Sequence, residues 1–320
     1  MPIKVIVARD FDHMSSLAAD CAKKTLIQVQ KEKKEAILGL ATGHTPTGMY
    51  KLLADAANAG EFDPRRVRSF NLDEYIGLPG DNAQQRVMHP ESYAFFMIQG
   101  FFSLLKTKFA ESCVPYGSLV EQERFEGELL CHSGDWKYEG TDAGKSVVIE
   151  DSPESEYLAW IRERLQKKYE NKIKAVGGID LQIIGSGGKG HVAFHESGIP
   201  FAGSRVLLVK LDDHTIRNAV LDGHFASEKD SPRFAMSMGA ELVYEARNIL
   251  LLANGERKRV PVARSLLEDP SAEVPISYGQ VYAQKGGNLV YVVDEIAGAD
   301  FLASRSKLAS RGIELVDARA

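Results

Sequence analysis

The strongest constraint on the fold of this chain is an apolar run that enters a glycine-rich turn. The stretch 179–196 reads IDLQIIGSGGKGHVAFHE. The run 179–184 predicts a buried strand, and the turn after it delivers His191, His195 and Glu196 to the carboxyl end of that strand. In an open α/β sheet, ligands bind beyond the carboxyl ends of the strands. The turn is therefore the first candidate for a functional site.

Similar apolar runs recur along the chain and alternate with helical patterns. Further strands are predicted at 3–8, 36–40, 67–72, 205–211, 249–253 and 288–294. Helices are predicted at 10–31, after the turn at 41–46, at 155–171, from 213 onward and around 236–246. Strands that alternate with helices predict an α/β fold, in which a mostly parallel, doubly wound sheet carries helices on both faces.

The length of the chain permits more than one domain organisation. With 320 residues, 44% of them hydrophobic, it can form one large domain or two smaller ones. No repeat or low-complexity linker divides it, so we predict a single α/β domain over 1–320. The pattern weakens at about 116–155, and we interpret this segment as an insertion that contains a small β-hairpin at 135–149.

Charge and cysteine content exclude several classes of protein. A formal net charge of −5 offers no general attraction to nucleic acid or to an anionic membrane, although a local basic pocket for a small anion stays open. Cys21, Cys113 and Cys131 have neither a C-x-x-C spacing nor an even count, which argues against a disulfide framework and a thiolate metal site. No segment suits a signal peptide or a membrane span. We therefore expect a cytoplasmic protein without a metal centre.

Two turns at strand ends have the composition of an anion site. The first turn consists of Thr42, Gly43, His44 and Thr45. Backbone N–H groups of such a turn can point at a phosphate, and Lys258 follows another predicted strand, so one edge of a sheet can hold both. The alternative is that each turn is an ordinary helix start.

Proton-transfer groups also follow predicted strands. Asp73 comes directly after the strand at 67–72, whereas His191 and Glu196 follow the strand at 179–184. A base accompanied by carboxylates is what proton transfer at a sugar carbon requires. The alternative is a structural histidine, because a spacing of five residues on a non-helical turn does not show that His191 and Glu196 meet.

The glycine turn also permits a different interpretation. Gly185, Gly187 and Gly190 match the dinucleotide fingerprint, and Asp212 lies close to the expected distance beyond it. However, the residues that follow, HVAFHESGIPF, are unsuited to the regular helix that a dinucleotide fold needs. A nicotinamide enzyme is therefore disfavoured.

Four segments together resemble the glucosamine-6-phosphate deaminase family, within a larger group that includes the 6-phosphogluconolactonases. They are LGLATGHTPTGMYKLL, SFNLDEYIGLP, HPESYAFFM and IGSGGKGHVAFHE, and the likeness runs from about 37 to 294. The pieces DEYIGLP and FHE are similar to the deaminase branch. The lactonase branch would carry a serine-leucine-phenylalanine-proline run after the loop histidine.

The resemblance implies a modified Rossmann-like sheet that binds a hexosamine 6-phosphate without a cofactor. It implies that Asp73 moves a proton between C2 and C1, that His191 helps to open the sugar ring and that Glu196 supports this histidine. The implied phosphate ligands are Thr42, Gly43, His44, Thr45 and Lys258. The implied reaction is an aldose–ketose isomerisation with release of ammonia.

The sequence departs from the family pattern at several positions. Lys189 stands where the family loop normally has an aspartate that forms a relay with the histidine and the glutamate. An ammonium there would disfavour a protonated imidazole and leave its orientation to Glu196 alone, so Lys189 joins the candidate catalytic residues. His44 replaces a usual glycine and His195 a usual asparagine. The expected phosphate-binding arginine has no clean match, Arg217 being the nearest.

Three other functions stay open. They are a sugar-phosphate isomerase without deamination, a 6-phosphogluconolactonase-like hydrolase and a non-catalytic sugar-phosphate-binding protein. The chain has no helix-turn-helix or basic extension that would make it a regulator by itself. Its predicted partner is a small phosphorylated sugar, neither nucleic acid nor a membrane, and the 116–155 segment is compatible with a contact in a homo-oligomer.

Overall fold

The computed structural model describes residues 3–320. Its strands are β1 (Lys4–Ala8), β2 (Ala36–Leu40), β3 (Val67–Asn71), β4 (Asp73–Ile76), β5 (Glu111–Cys113), β6 (Trp136–Glu139), β7 (Lys145–Ile149), β8 (Leu181–Ile184), β9 (Val206–Lys210), β10 (Phe234–Met238), β11 (Asn248–Ala253), β12 (Asn288–Asp294) and β13 (Glu314–Asp317).

The α-helices are α1 (Phe11–Glu32), α2 (Thr47–Asn58), α3 (Ala83–Val87), α4 (Tyr93–Gly100), α5 (Gln122–Cys131), α6 (Glu156–Trp160), α7 (Lys167–Ala175), α8 (Asp213–Leu221), α9 (Ala240–Val243), α10 (Glu256–Leu267), α11 (Gly279–Gln284), α12 (Ala299–Ala303) and α13 (Arg305–Ser310). A π-helical segment, Ile161–Gln166, joins α6 to α7. Short 3₁₀ helices lie at Pro64–Arg66, Phe102–Leu104, Tyr116–Leu119 and Pro275–Tyr278.

Eight strands form one large sheet in the order β13-β1-β12-β11-β8-β2-β3-β5. Every pairing within this sheet is parallel. β8 lies between β11 and β2, with Ile184 opposite Leu251 and Leu181 opposite Leu38. All residues of β2 and β8 are buried, as expected for parallel strands covered on both faces. The predicted α/β fold with a mostly parallel sheet is confirmed.

A second sheet of five antiparallel strands has the order β4-β10-β9-β7-β6. This sheet was not predicted. The helix predicted around 236–246 is wrong, because β10 occupies Phe234–Met238 and only Ala240–Val243 is helical. Every residue of β10 is buried, and a short apolar run of that kind does not distinguish a strand from a helix.

The hairpin predicted at 135–149 is confirmed. Trp136 lies opposite Ile149 in the antiparallel pair β6–β7. β7 also pairs with β9, which makes the hairpin part of the second sheet. Phe125 and Val147 of the 116–155 segment belong to the buried cluster that includes both sheets, so the segment shares the core of the rest of the chain.

The chain passes from the large sheet to the second sheet at Leu72. The Leu72 amide donates to the carbonyl of Leu40 (3.0 Å), and its carbonyl accepts from the amide of Met238 (2.7 Å). Asp73 is consequently the first residue of β4 and lies at the junction of the two sheets.

Two of the predicted helices begin directly after a side chain that caps them. The Asp10 carboxylate accepts from the His13 amide (2.8 Å) at the start of α1, and the Ser155 hydroxyl accepts from the Leu158 amide (3.1 Å) at the start of α6. The helices predicted at 10–31 and 155–171 are confirmed. Within residues 3–320, no helix combines the length and the apolar character that crossing a bilayer requires.

Candidate active site

A cleft of about 730 Å³ opens at the carboxyl edge of the large sheet, beside the junction with β4. The turns after β2, β8 and β11 contribute to its lining. It brings together most of the predicted site residues, which are Thr42, Gly43, His44, Thr45, Asp73, His191 and Lys258. Glu196 and Lys189 are the predicted residues that do not line the cleft.

The turn between β2 and α2 forms one end of the cleft. Gly43 has a φ of +100°, a conformation that residues with a Cβ rarely adopt. The Thr45 hydroxyl donates to the Asn254 side chain after β11 (2.7 Å), and the His44 ring stacks on Phe11 at a centroid distance of 5.2 Å. These contacts tie the turn to its neighbours and pre-form a concave backbone surface.

Lys258 lies in the first turn of α10 and faces the same end of the cleft. Within residues 3–320, no carboxylate lies within ion-pairing distance of its ammonium. Burial lowers the pKa of Lys258, and the nearby charge of Arg257 acts in the same direction. A half-buried ammonium without an anionic partner favours an anionic ligand.

Asp73 is buried and faces the cleft from the start of β4. Burial, reinforced by the negative charge of Glu74, raises the pKa of Asp73 to about 8, although a hydrogen bond with the Thr42 side chain acts in the opposite direction. Its Oδ1 atom has no hydrogen-bond partner among the described residues. Such a carboxyl group can take up and release a proton near neutral pH.

Glu74, next along the strand, has a different environment. Its two oxygens accept from the amides of Tyr75 (2.9 Å), Tyr93 (3.0 Å) and Ala94 (3.0 Å) and from the Ser92 hydroxyl (2.8 Å). These donors lie on β4 and at the start of α4. Glu74 therefore anchors this helix to the second sheet, and it does not line the cleft.

His191 and Glu196 are in contact, which the sequence alone did not decide. The Glu196 carboxylate lies 3.1 Å from Nδ1 of His191 and accepts a second hydrogen bond from the Asp212 amide (3.3 Å). Because a carboxylate only accepts, Nδ1 carries the proton and Nε2 is left as the acceptor. A Cβ placed on Gly187 would lie 1.8 Å from Nε2, so only glycine leaves room for the imidazole.

His195 is a structural residue. It is fully buried, its Nδ1 accepts from the Ala240 amide (3.1 Å), and its Nε2 consequently donates to the Ile199 carbonyl (3.0 Å). Burial lowers the pKa of His195 to about 4. The ring is therefore neutral at physiological pH and connects the loop after β8 to α9.

The structure places Lys189 outside the cleft. Its ammonium bonds to Asp212 Oδ2 (2.8 Å) and to Asp142 Oδ2 (3.0 Å), in a second pocket on the far side of the glycine turn. These carboxylates, Asp212 first, raise the pKa of Lys189 and neutralise its charge. The expectation that an uncompensated ammonium acts on the imidazole is therefore not supported. Arg217 does not line the cleft either; it is exposed, and it lies 3.9 Å from Glu228.

Sequence reasoning missed the aromatic wall of the cleft. Tyr75 contacts Tyr93 at a centroid distance of 4.9 Å and Phe194 at 5.3 Å. All three line the cleft. Strand alternation could have identified Tyr75, because it lies two residues after Asp73 and so shares a face of β4 with it.

Arg257 and His224 also line the cleft, and sequence reasoning missed both. Arg257 forms an ion pair with Asp222 (2.6 Å), and Nδ1 of His224 lies 2.6 Å from a carboxylate oxygen of Glu91. No sequence signal joins residues this far apart. Across residues 3–320, no group of three or more histidine, cysteine or acidic side chains is arranged to hold a metal ion.

Comparisons with known proteins agree with this geometry. No family model matches the chain. A protein of Clostridium acetobutylicum named glucosamine-6-phosphate deaminase is 32% identical over 280 residues, which are 88% of this chain and 94% of the relative. Glucosamine-6-phosphate deaminase 2 of Bacillus subtilis is 32% identical over 306 residues, with 95% and 99% covered.

Solved structures show the same fold. That of a monomeric glucosamine-6-phosphate deaminase matches with a TM-score of 0.69 and 26% identity, over 92% of this chain and 99% of that one. A 6-phosphogluconolactonase from Thermotoga maritima matches with a TM-score of 0.58 and 17% identity, over 91% and 99%, which concerns the fold alone. Together with the identity and coverage of the two bacterial relatives, these matches show that the chain belongs to the glucosamine-6-phosphate deaminase family.

Proposed function

We propose that this protein converts a hexosamine 6-phosphate, glucosamine 6-phosphate in the first instance, into a ketose 6-phosphate and ammonia. The observation that carries the proposal is Asp73, a buried carboxyl group with an oxygen that has no hydrogen-bond partner among residues 3–320, in the same cleft as a concave turn and a lysine without an ion pair in that range. Membership of the deaminase family supports the choice of an amino sugar.

The phosphate is assigned to the turn after β2. The backbone of Thr42, Gly43, His44 and Thr45 forms its cradle. Lys258 supplies the positive charge, and the gain from pairing is large because its ammonium is half-buried and forms no ion pair with the described residues. This end of the cleft orients the sugar so that C1 and C2 lie towards Asp73.

Asp73 is assigned the proton transfer. In the open-chain sugar it removes the proton from C2, which leaves an enolate with the nitrogen still on C2. Return of that proton to C1, together with the shift of one proton from the nitrogen to O1, produces an imine at C2. Water then adds to C2 and ammonia leaves, so one water is consumed for each ammonia released. A pKa of about 8 suits a group that must both accept and donate the same proton.

Ring opening is assigned to His191. Its Nε2 is the free acceptor, because Nδ1 donates to Glu196. The imidazole can take the proton of the C1 hydroxyl and return it to the ring oxygen. Glu196 stabilises the imidazolium that forms between these two events.

A substrate panel tests the proposal. The protein is incubated with hexosamine 6-phosphates and hexose 6-phosphates, and ammonia and ketose are measured separately, with Asp73→Asn as the inactive control. We expect equal amounts of ammonia and ketose from an amino sugar. Ketose without ammonia would indicate an isomerase, and hydrolysis of a phosphogluconolactone would indicate a lactonase. Thermal stabilisation by sugar phosphates without turnover would indicate a binding protein.

A further inference from the structure

The turn of the β6–β7 hairpin lies directly against the loop that carries the proposed catalytic pair. The Thr141 amide donates to the Gly198 carbonyl (3.1 Å). A Cβ placed on Gly144 would lie 2.6 Å from Cβ of Glu196 and 2.7 Å from its Cγ. The hairpin backbone thus covers the Glu196 side chain, which is only 1% exposed.

The loop also packs closely against the hairpin turn at Gly198. A Cβ placed on Gly198 would lie 2.6 Å from the Thr141 hydroxyl and 2.7 Å from the Asp142 amide. Gly198 also has a φ of +82°, so a side chain there would be strained as well as obstructed. The two segments are therefore matched in shape, and a shift of the hairpin turn would be transmitted to the loop.

Lys189 joins the hairpin electrostatically to the start of α8. Its ammonium bonds to Asp142 of the hairpin turn (3.0 Å) and to Asp212 (2.8 Å). Asp212 is the N-cap of α8, where its Oδ1 accepts from the His214 amide (2.6 Å). Asp212 is buried, whereas the Lys189 and Asp142 side chains are 37% and 38% exposed.

Asp212 in turn contacts the proposed catalytic pair. Its amide donates to Oε1 of Glu196 (3.3 Å), and Oε2 of Glu196 lies 3.1 Å from Nδ1 of His191. An unbroken series of contacts therefore runs from Asp142 through Lys189, Asp212 and Glu196 to the imidazole. The hairpin backbone packs closely against the Glu196 side chain. The ion pairs of Lys189 fix Asp212, whose amide donates to Glu196.

We propose that Lys189 and Asp142 are positioning residues, which hold Glu196 so that it orients His191 for ring opening. The expected effect on kcat rests on the proposed function, whereas the orientation of His191 by Glu196 does not. Lys189 exchanges no proton with the sugar, because it lies outside the cleft. Lys189 thus has a role in orienting His191, and Asp142 of the hairpin supports it through an ion pair.

The test compares Lys189→Met, Asp142→Asn and the double variant. Lys189→Arg is the conservative control. Lys4→Met is the matched control, because it removes an ion pair with Glu314 (3.0 Å) of similar exposure, 39% and 49%, at a site outside the cleft. We expect kcat on glucosamine 6-phosphate to fall about tenfold for Lys189→Met and about threefold for Asp142→Asn, with KM changed less than twofold. We expect kcat of Lys189→Arg to stay within threefold of that of the parent, and kcat of Lys4→Met to be unchanged.

The double variant distinguishes a shared role from two independent ones. If Asp142 acts through Lys189, the double variant is no slower than Lys189→Met alone. Additive losses would overturn the proposal, as would a kcat in both single variants equal to that of Lys4→Met. A loss that follows a lowered melting temperature would also overturn it, because it would show a structural role only.

A second readout does not depend on turnover. Proton NMR follows the imidazole N–H that His191 donates to Glu196, assigned by its loss in His191→Gln. We expect this signal to broaden in Lys189→Met and to stay sharp in Lys4→Met; an unchanged signal in Lys189→Met would overturn the positioning role. If the parent releases no ammonia, the proposed function fails, and the NMR signal alone decides the positioning role.

Discussion

The two sides of the glycine turn at 185–191 differ in how their charges are satisfied. On the cleft side, Asp73 has an oxygen without a partner, and Lys258 has no carboxylate within ion-pairing distance among residues 3–320. On the far side, Lys189 is bonded to both Asp142 and Asp212. On the far side the Lys189 ammonium is offset by two carboxylates in the free protein, whereas on the cleft side the Lys258 ammonium lacks a counter-charge that an anionic ligand would supply.

This difference separates residues that act on a ligand from residues that hold others in place. A buried group without a partner destabilises the folded protein, and the cost is recovered only when a ligand binds. Asp73 and Glu74 make the same contrast between neighbours in one strand, since Glu74 accepts four hydrogen bonds. The oxygen of Asp73 without a partner among residues 3–320 thus belongs to a residue assigned to the substrate, whereas the satisfied Glu74 and Lys189 hold their neighbours in place.

The largest effect is expected from Asp73→Asn. Loss of the base should lower kcat roughly 10³-fold. The pKa of Asp73 is raised from 3.8 to about 8. The contribution of this group to the free energy of unfolding is therefore fully present below pH 3.8, falls as the pH rises and is lost once the pH has passed through 8. The variant should therefore be more stable than the parent, by on the order of 1 kcal/mol more for each pH unit between 4 and 8.

Urea unfolding of Asp73→Asn and of the parent at pH 5, 7 and 9 measures this stability difference, and ammonia release measures the activity. A variant that is inactive but gains no stability towards high pH would show that Asp73 is not a destabilised buried acid.

A smaller loss is expected from Gly187→Ala. The added Cβ would lie 1.8 Å from Nε2 of His191, so the imidazole must move away from its position beside the turn. Misplacement of a catalytic group on this scale costs on the order of 10² in kcat. Gly127→Ala is the control, because a Cβ there meets nothing within 4 Å and the residue lies inside α5. Steady-state kinetics that show equal activity for both variants would refute the assignment of His191.

Lys258→Met should weaken phosphate binding. We expect KM to rise roughly 30-fold, the lower range for removal of one partner from a buried charged pair, with a smaller change in kcat. Arg217→Met is the control, because this exposed arginine lies outside the cleft and should leave KM unchanged. A rise in KM for Arg217→Met but not for Lys258→Met would move the phosphate site to α8.

The pH profile should show the smallest effect. Since Asp73 must be ionised to act as a base, kcat/KM should fall about fivefold from pH 8 to pH 7, as one ionisation with a pKa of about 8 requires. The same fall in kcat/KM below pH 8 should be seen in Lys4→Met. An acid limb centred below pH 6 would show that the cleft does not raise the pKa of Asp73 in this way.

Much of the cleft was predictable from local patterns. Thr42, Asp73, His191 and Lys258 each follow a recognisable apolar strand, and the carboxyl ends of parallel strands meet at one edge. Residues 234–238 were not predictable in this way. Burial of every side chain in that strand removed the alternation that distinguishes strand from helix, so the second sheet was missed.

The amino-acid sequence thus determined the large parallel sheet, the turns at its edge and the chemistry of the side chains in those turns, because each depends on residues adjacent in the chain. Only the tertiary structure decided where Lys189 points and what neutralises it. Its partner Asp142 is 47 positions away on the hairpin, and Asp212 is 23 away at the start of α8. Short-range patterns carry no information on such pairs, since the hairpin and the loop come together only when the second sheet packs on the first.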